Sequence, residues 1–164
     1  MKKLISTFFA IVITITSFSQ ITVFSENFEG VVSMTSSSFS GTAPAWSVNS
    51  RLFSQGSKSY SNAVALNDSL FLTSPTFSTI GNTFVTLDFD HICKIEFQDF
   101  GLVQVSDNGG ATWTTLTTSE YLGTSSGFGA LGRFGESSYS NWVPGLPSTP
   151  NTSWWQHEPF DVSS

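Results

Sequence analysis

The sequence predicts an all-β protein, an antiparallel β-sandwich of the jelly-roll type, and three observations carry that expectation. Short runs rich in Phe, Val, Ile, Leu and Thr recur between turn residues. The clearest of them alternates with a period of two. Charged residues make up only 11% of the 164-residue chain. Period-two alternation puts every second side chain on one face of a sheet. Helical domains normally clothe their outer faces with Lys, Glu and Arg, and few windows beyond the first twenty residues carry a 3.6-residue apolar period.

The N-terminal segment stands apart. Lys2 and Lys3 precede the apolar run L-I-S-T-F-F-A-I-V-I-T-I-T, and Ser17 and Ser19 follow it. A charged start, an apolar run too short to span a bilayer and small residues after it describe a secretory signal peptide over residues 1–19, cleaved before Gln20. The expected product is one exported domain, residues 20–164, secreted or held at the cell surface with no membrane span of its own.

Within that domain the predicted β runs follow one another. The first is Ile21–Gly30. A Ser/Thr loop reaches Pro44, and A-W-S-V-N-S, Ala45–Ser50, comes next. Ser59–Leu66 and Ser69–Pro75 follow. Thr83–Cys93 is the clearest strand: Val85, Leu87, Phe89, His91 and Cys93 share one face, with Thr86, Asp88 and Asp90 on the other. That pattern marks a sheet with one buried side. Gly101–Ser106 and Trp113–Leu116 continue the series, and a final apolar–acidic segment, Glu158–Val162, follows Trp154 and Trp155. Between them Gly123–Pro150 reads as a long loop of Gly, Ser, Pro and aromatics, too aromatic for disorder.

Charge and cysteine content exclude several classes. The formal net charge of −6 becomes two units more acidic once Lys2 and Lys3 leave with the signal peptide. No basic stripe exists, so nucleic acid is not an expected partner. Cys93 is the single cysteine, so an internal disulfide is excluded and stability must come from burial or a bound ion.

The octapeptide S-D-N-G-G-A-T-W resembles a sialidase "Asp box" with Asn108 at the aspartate position. A propeller would repeat the box and supply several arginines, whereas this chain has one box and only Arg51 and Arg133. The spacing of Asp107 and Asn108 also fails a calcium loop. The expectation is a structural hairpin. Asn108-Gly109 or Gly109-Gly110 supplies the positive φ angles of the turn, Ser106 and Asp107 fold back on its amides, and Trp113 covers it. G-T-S-S-G at Gly123–Gly127 and G-F-G-A-L-G at Gly127–Gly132 match a nucleophile elbow and a dinucleotide loop. Both need a strand before and a helix after, and this loop promises neither.

His91, Cys93 and His157 are too few and too scattered for a zinc site; His91 reads as a buried, hydrogen-bonded histidine. Asp88/Asp90 and Glu96/Asp99 are carboxylate pairs, solvated strand charges or, for Asp88 and Asp90, a glycosidase pair. Glu29, at the end of the first run, is either an exposed carboxylate or a ligand of a structural calcium ion. No other cofactor is expected. Asp68-Ser69-Leu70 fits a D-[ST]-apolar O-glycosylation pattern as well as a plain turn. Tyr139, Trp142, Trp154 and Trp155 are candidates for an aromatic platform on which sugar C–H faces stack; packing of the loop onto the sheet is the alternative.

F-S-E-N-F-E-G, L-D-F-D-H-I-C-K-I-E-F-Q-D, V-Q-V-S-D-N-G-G-A-T-W and W-W-Q-H-E-P-F-D-V-S, in that order, resemble the MAM-like, "choice-of-anchor J" type jelly-roll domain of Bacteroidota surface proteins exported by type IX secretion. The resemblance spans nearly all of residues 20–164 and implies a non-catalytic binding or adhesive module, with a glycan or a surface protein as partner. It also implies a closing strand beyond Asp161-Val162-Ser163-Ser164, so the sandwich is expected to lack its closing strand. Alternatives are a structural accessory domain of a secreted peptidase or other multidomain exoprotein, and a jelly-roll glycoside hydrolase using Asp88 and Asp90.

Overall fold

The computed structural model describes residues 20–41, 46–62 and 68–163. The expected signal peptide and the second half of the expected strand Ser59–Leu66 lie outside the described residues. In chain order the strands are β1 (Thr35–Ser38), β2 (Ser47–Asn49), β3 (Ser59–Ser61), β4 (Leu70–Thr73), β5 (Thr86–His91), β6 (Gln104–Val105), β7 (Thr114–Thr115) and β8 (Gln156–Asp161). One helix, α1 (Ser126–Leu131), lies between β7 and β8, with 3₁₀ turns at Ser140–Trp142 and Thr152–Trp154. The described chain is largely β and not helical.

The strands pair antiparallel in four two-stranded sheets, β1–β4, β2–β3, β5–β8 and β6–β7. The pairings nest: β1 and β4 enclose β2–β3, and β5 and β8 enclose β6–β7. The longest ladder runs from Thr86 opposite Asp161 to His91 opposite Gln156. On the far side of β8, Leu122 N–H donates to Pro159 O at 3.0 Å and Asp161 N–H to Glu120 O at 2.8 Å. Pro159, which has no N–H, thus keeps its carbonyl occupied within a central strand.

Three local expectations are corrected. Ile21–Gly30 is not a strand. Glu26 and Asn27 turn their side chains back onto the N–H groups of Phe28 (2.8 Å) and Glu29 (3.1 Å), and Phe28 adopts φ 60°. Such local bonds compete with a ladder and win. The Ser/Thr loop, conversely, holds β1, because Leu70–Thr73 offers it a full antiparallel register. Helix α1 occupies the expected loop: Ser125 Oγ caps it by accepting from Phe128 N–H at 3.2 Å, and Gly132 ends it at φ 64°. Two glycines in six residues hid its apolar period.

The core lies in the second half of the chain. Leu116, Phe128, Phe134 and Phe160 are buried, with Leu87, Phe89, Val103 and Val105 packed against them. Phe89, Phe128, Phe134 and Phe160 meet at centroid distances from 4.6 to 6.4 Å, mostly edge to face. Each buried phenyl contributes roughly 1.5–3 kcal/mol of transfer free energy, and each favourable ring pair about 0.5–1.5 kcal/mol more. Among the described residues before Val85, by contrast, no apolar side chain is buried. Val31 (98%), Ile80 (94%) and Phe39 (83%) stand open to solvent. That half is held by its two ladders, by the stacked pairs Phe24–Phe77 and Phe28–Tyr60, and by carboxylates that bind loop amides.

Candidate functional site: a groove built on a buried carboxylate

β8 alternates, and its inward side chains are Glu158 and Phe160. Glu158 has no exposed surface. Its Oε1 meets His91 Nε2 at 3.0 Å and accepts from Tyr139 OH at 2.8 Å; its Oε2 accepts from Tyr121 OH at 2.6 Å. Burial pushes this carboxyl up, but the bonds from His91, Tyr121 and Tyr139 outweigh it and hold the group below the usual carboxylate value. Burial and the neighbouring carboxylate together raise both tyrosines. His91 is locked further by edge contacts to Phe134 (4.3 Å) and Trp142 (5.3 Å). A carboxylate enclosed in this way has no path to a solvent-borne substrate, so its chemistry is that of a bolt between β5, β8 and the loop that follows α1.

The proposed aromatic platform folds onto this bolt. Trp142 is fully buried, its Nε1–H donating to Trp154 O at 2.7 Å, and Trp154 is 5% exposed. Tyr139 packs on Trp142 at 4.9 Å and spends its hydroxyl on Glu158, while Trp155 is half-buried. Of the two expectations for this loop, packing onto the sheet describes Trp142 and Trp154, which are buried, while Tyr139 and Trp155 are half-buried.

Beside them lies an open groove of about 640 Å³. One wall is Phe97–Phe100; the other is α1 and the segment 133–138. The walls are tied where Gly101 and Phe134 exchange backbone bonds of 2.8 and 2.9 Å. Beneath, buried Glu136 accepts from Lys94 Nζ (2.7 Å) and Gly145 N–H (3.1 Å). Those bonds, from Lys94 first, hold its carboxyl below the usual range. Phe97 (80%) and Phe100 (50%) present exposed rings, and the Arg133 guanidinium sits 5.0 Å over Phe100. Nothing in the sequence singled out Phe97, Phe100 or Arg133. Glu158 was legible in principle, since the alternation of E-P-F puts it on the side of Phe160, opposite a histidine-bearing strand.

The structure gives the remaining expected positions the following surroundings. In the hairpin, Ser106 Oγ accepts from Gly110 N–H (2.8 Å), and Asn108 bonds Thr112 through both amide atoms (2.7 and 2.9 Å). Gly109 and Gly110 take φ 70° and 90°, and Trp113 lies against Gly110. Asp107, expected to bond the turn amides, makes no hydrogen bond among the described residues; Ser106 and Asn108 hold the turn instead. Asp88 and Asp90 flank one imidazole: His157 Nδ1 is 3.0 Å from Asp90 and Nε2 3.7 Å from Asp88. Ser54 Oγ donates to the same Asp90. Aspartate, not histidine, stands in the middle, so the order is not that of a Ser-His-Asp triad. Ser125 of G-T-S-S-G spends its oxygen on the α1 cap. Glu29 accepts from Ser57 N–H (2.7 Å), Ser57 Oγ (2.6 Å) and Lys58 N–H (2.8 Å). It clasps a turn, and among the described residues no three His, Cys, Asp or Glu gather as a metal site. Among them, too, no helix is long and apolar enough to cross a membrane. No family model, curated protein or solved structure matches the chain.

Proposed function

We propose that this chain is an exported, non-catalytic β-sandwich module of the jelly-roll type that binds carbohydrate at a cell surface, as its resemblance to the MAM-like, choice-of-anchor J domains implies. The observation that carries the reading is the groove between Phe97–Phe100 and α1. Two exposed phenyl rings in a concave site lined by Gln98, Asp99, Ser126 and Ser137 combine a surface for sugar C–H faces with groups for sugar hydroxyls. The nested strand pairs support the sandwich, since hairpins within hairpins are how an antiparallel roll is wound. The test is a glycan array with the exported chain, followed by titration of the best glycan against a Phe97→Ala/Phe100→Ala double variant. Binding weakened at least about tenfold is expected; undiminished binding, or an array without a single retained glycan, overturns the reading.

A second reading, an accessory domain that packs against a neighbour in a longer exoprotein, is favoured by a different observation. Val31, Phe39 and Ile80 are exposed on the half of the chain that lacks a buried core, a surface a neighbouring domain would cover. In that case Val31→Asp and Phe39→Asp loosen the neighbour and leave glycan binding unchanged.

A further inference from the structure

The groove holds a cation with nothing to neutralise it. Among the described residues Arg133 makes no ion pair and no hydrogen bond; its one partner is the Phe100 ring beneath it. Lys58 and Lys94 are both engaged, on Glu29 O and on Glu136, and Arg51 does not line the groove. In a chain with twelve Asp and Glu against six Lys and Arg, an unpaired guanidinium in a concave site is conspicuous. Stacking on a ring fixes the guanidinium plane and leaves its N–H edge free. That edge matches the two oxygens of a carboxylate, which accepts two parallel bonds from it.

The neighbours define the rest of the ligand. Ser126 and Ser137 line the groove and make no side-chain hydrogen bond to a described residue, so their hydroxyls remain for a polar partner. Glu136 is saturated by Lys94 and Gly145 and adds no net charge. Asp99 sits on the wall opposite α1 and forms no ion pair with Arg133. It leaves one negative charge near the site, which admits a single carboxylate and repels a dense polyanion.

Resting on the carbohydrate reading, we infer that the groove takes an acidic sugar: one uronic acid residue, its carboxylate held by Arg133 and its C–H face laid on Phe97 or Phe100.

The experiment is calorimetric titration of the exported chain with aldotetraouronic acid, a xylo-oligosaccharide bearing one glucuronic acid, and with its carboxyl-reduced neutral form. The acid is expected to bind at least about tenfold tighter than the neutral sugar, and raising NaCl should narrow the gap. Arg133→Gln should bring the two affinities together, while Arg133→Lys keeps part of the difference. Arg133 is exposed, so an unchanged melting temperature will show that the variant is folded. Equal affinities in the unaltered chain, or an undiminished preference in Arg133→Gln, overturn the assignment to Arg133 and leave glycan binding standing. Binding of neither form while other glycans bind also overturns it, and silence across the whole array removes the carbohydrate reading as well.

Discussion

His91 Nε2 lies 3.0 Å from Glu158 Oε1, and the two residues are diagonal neighbours across the β5–β8 ladder: Glu158 faces Phe89, and His91 faces Gln156. Diagonal pairs are within reach of long side chains. This one brings a carboxylate into a core of phenyl rings with three donors already in place, so that core has one register of lowest energy.

Removing that carboxylate should therefore be expensive. Glu158→Ala leaves three half-buried donors without their acceptor and a void at a fully buried position, and is expected to destabilise the fold by about 3 kcal/mol in urea unfolding. The folded carboxyl ionises more readily than an unfolded one near 4.5. Its contribution is thus complete above about pH 4.5 and fades as pH falls through the lower folded value. Glu158→Gln should flatten part of the acid slope below pH 4.5, the other lowered carboxyls, Glu26, Glu29, Asp68, Glu120 and Glu136, keeping the remainder. An unaltered slope would refute the role given to Glu158.

Two glycines of α1 should respond with opposite sign. A methyl at Gly129 meets nothing within 4 Å, so Gly129→Ala should stabilise by roughly 0.5–1 kcal/mol. A methyl at Gly127 would lie 2.3 Å from the Ser138 backbone, so Gly127→Ala should destabilise by more than 1 kcal/mol. Thermal melts of the two variants side by side check both, and equal shifts would contradict the close approach of α1 to Ser138.

Trp142→Ala removes a fully buried indole that also donates to Trp154 O, at an expected cost of about 3–5 kcal/mol and with loss of much of the near-ultraviolet dichroism. Phe97→Ala, at an 80% exposed ring, should change stability by less than about 0.5 kcal/mol. The two substitutions separate the aromatic residues that hold the fold from those available to a ligand.

Burial pushes the Cys93 thiol up to about 12, so almost none of it is thiolate at neutral pH. The native chain should react with a disulfide reagent far more slowly than the chain in urea. Comparable rates would place Cys93 at the surface.

The sequence was most legible where periodicity and burial agree. Leu87 and Phe89 on the inner side of β5, Cys93 beyond its end against the same core, Asp88 and Asp90 on the outer side, a bonded His91 and the 106–113 hairpin all follow from alternation and turn chemistry. It misled where a polar side chain could bond locally or at long range. Glu26 and Asn27 melted an expected strand, and a serine run became β1 only because β4 lay opposite. The aromatic loop showed the same ambiguity in three dimensions. Trp142 and Phe97 are both aromatic residues in irregular segments, and composition cannot tell which one the core will claim. The groove was illegible for that reason: Phe100 and Arg133 stand 33 positions apart in sequence and meet only because Gly101 bridges Phe134.

The pairing of β5 with β8 has a consequence in time. Even the nearest pair of that ladder, His91 and Gln156, lies 65 positions apart, and a closure over so many residues is slow and entropically costly. As the polypeptide emerges from a ribosome, β5 stays without its mate until the stretch around Pro159 has been made. A chain arranged in this way leaves its main core open until β8 has been made.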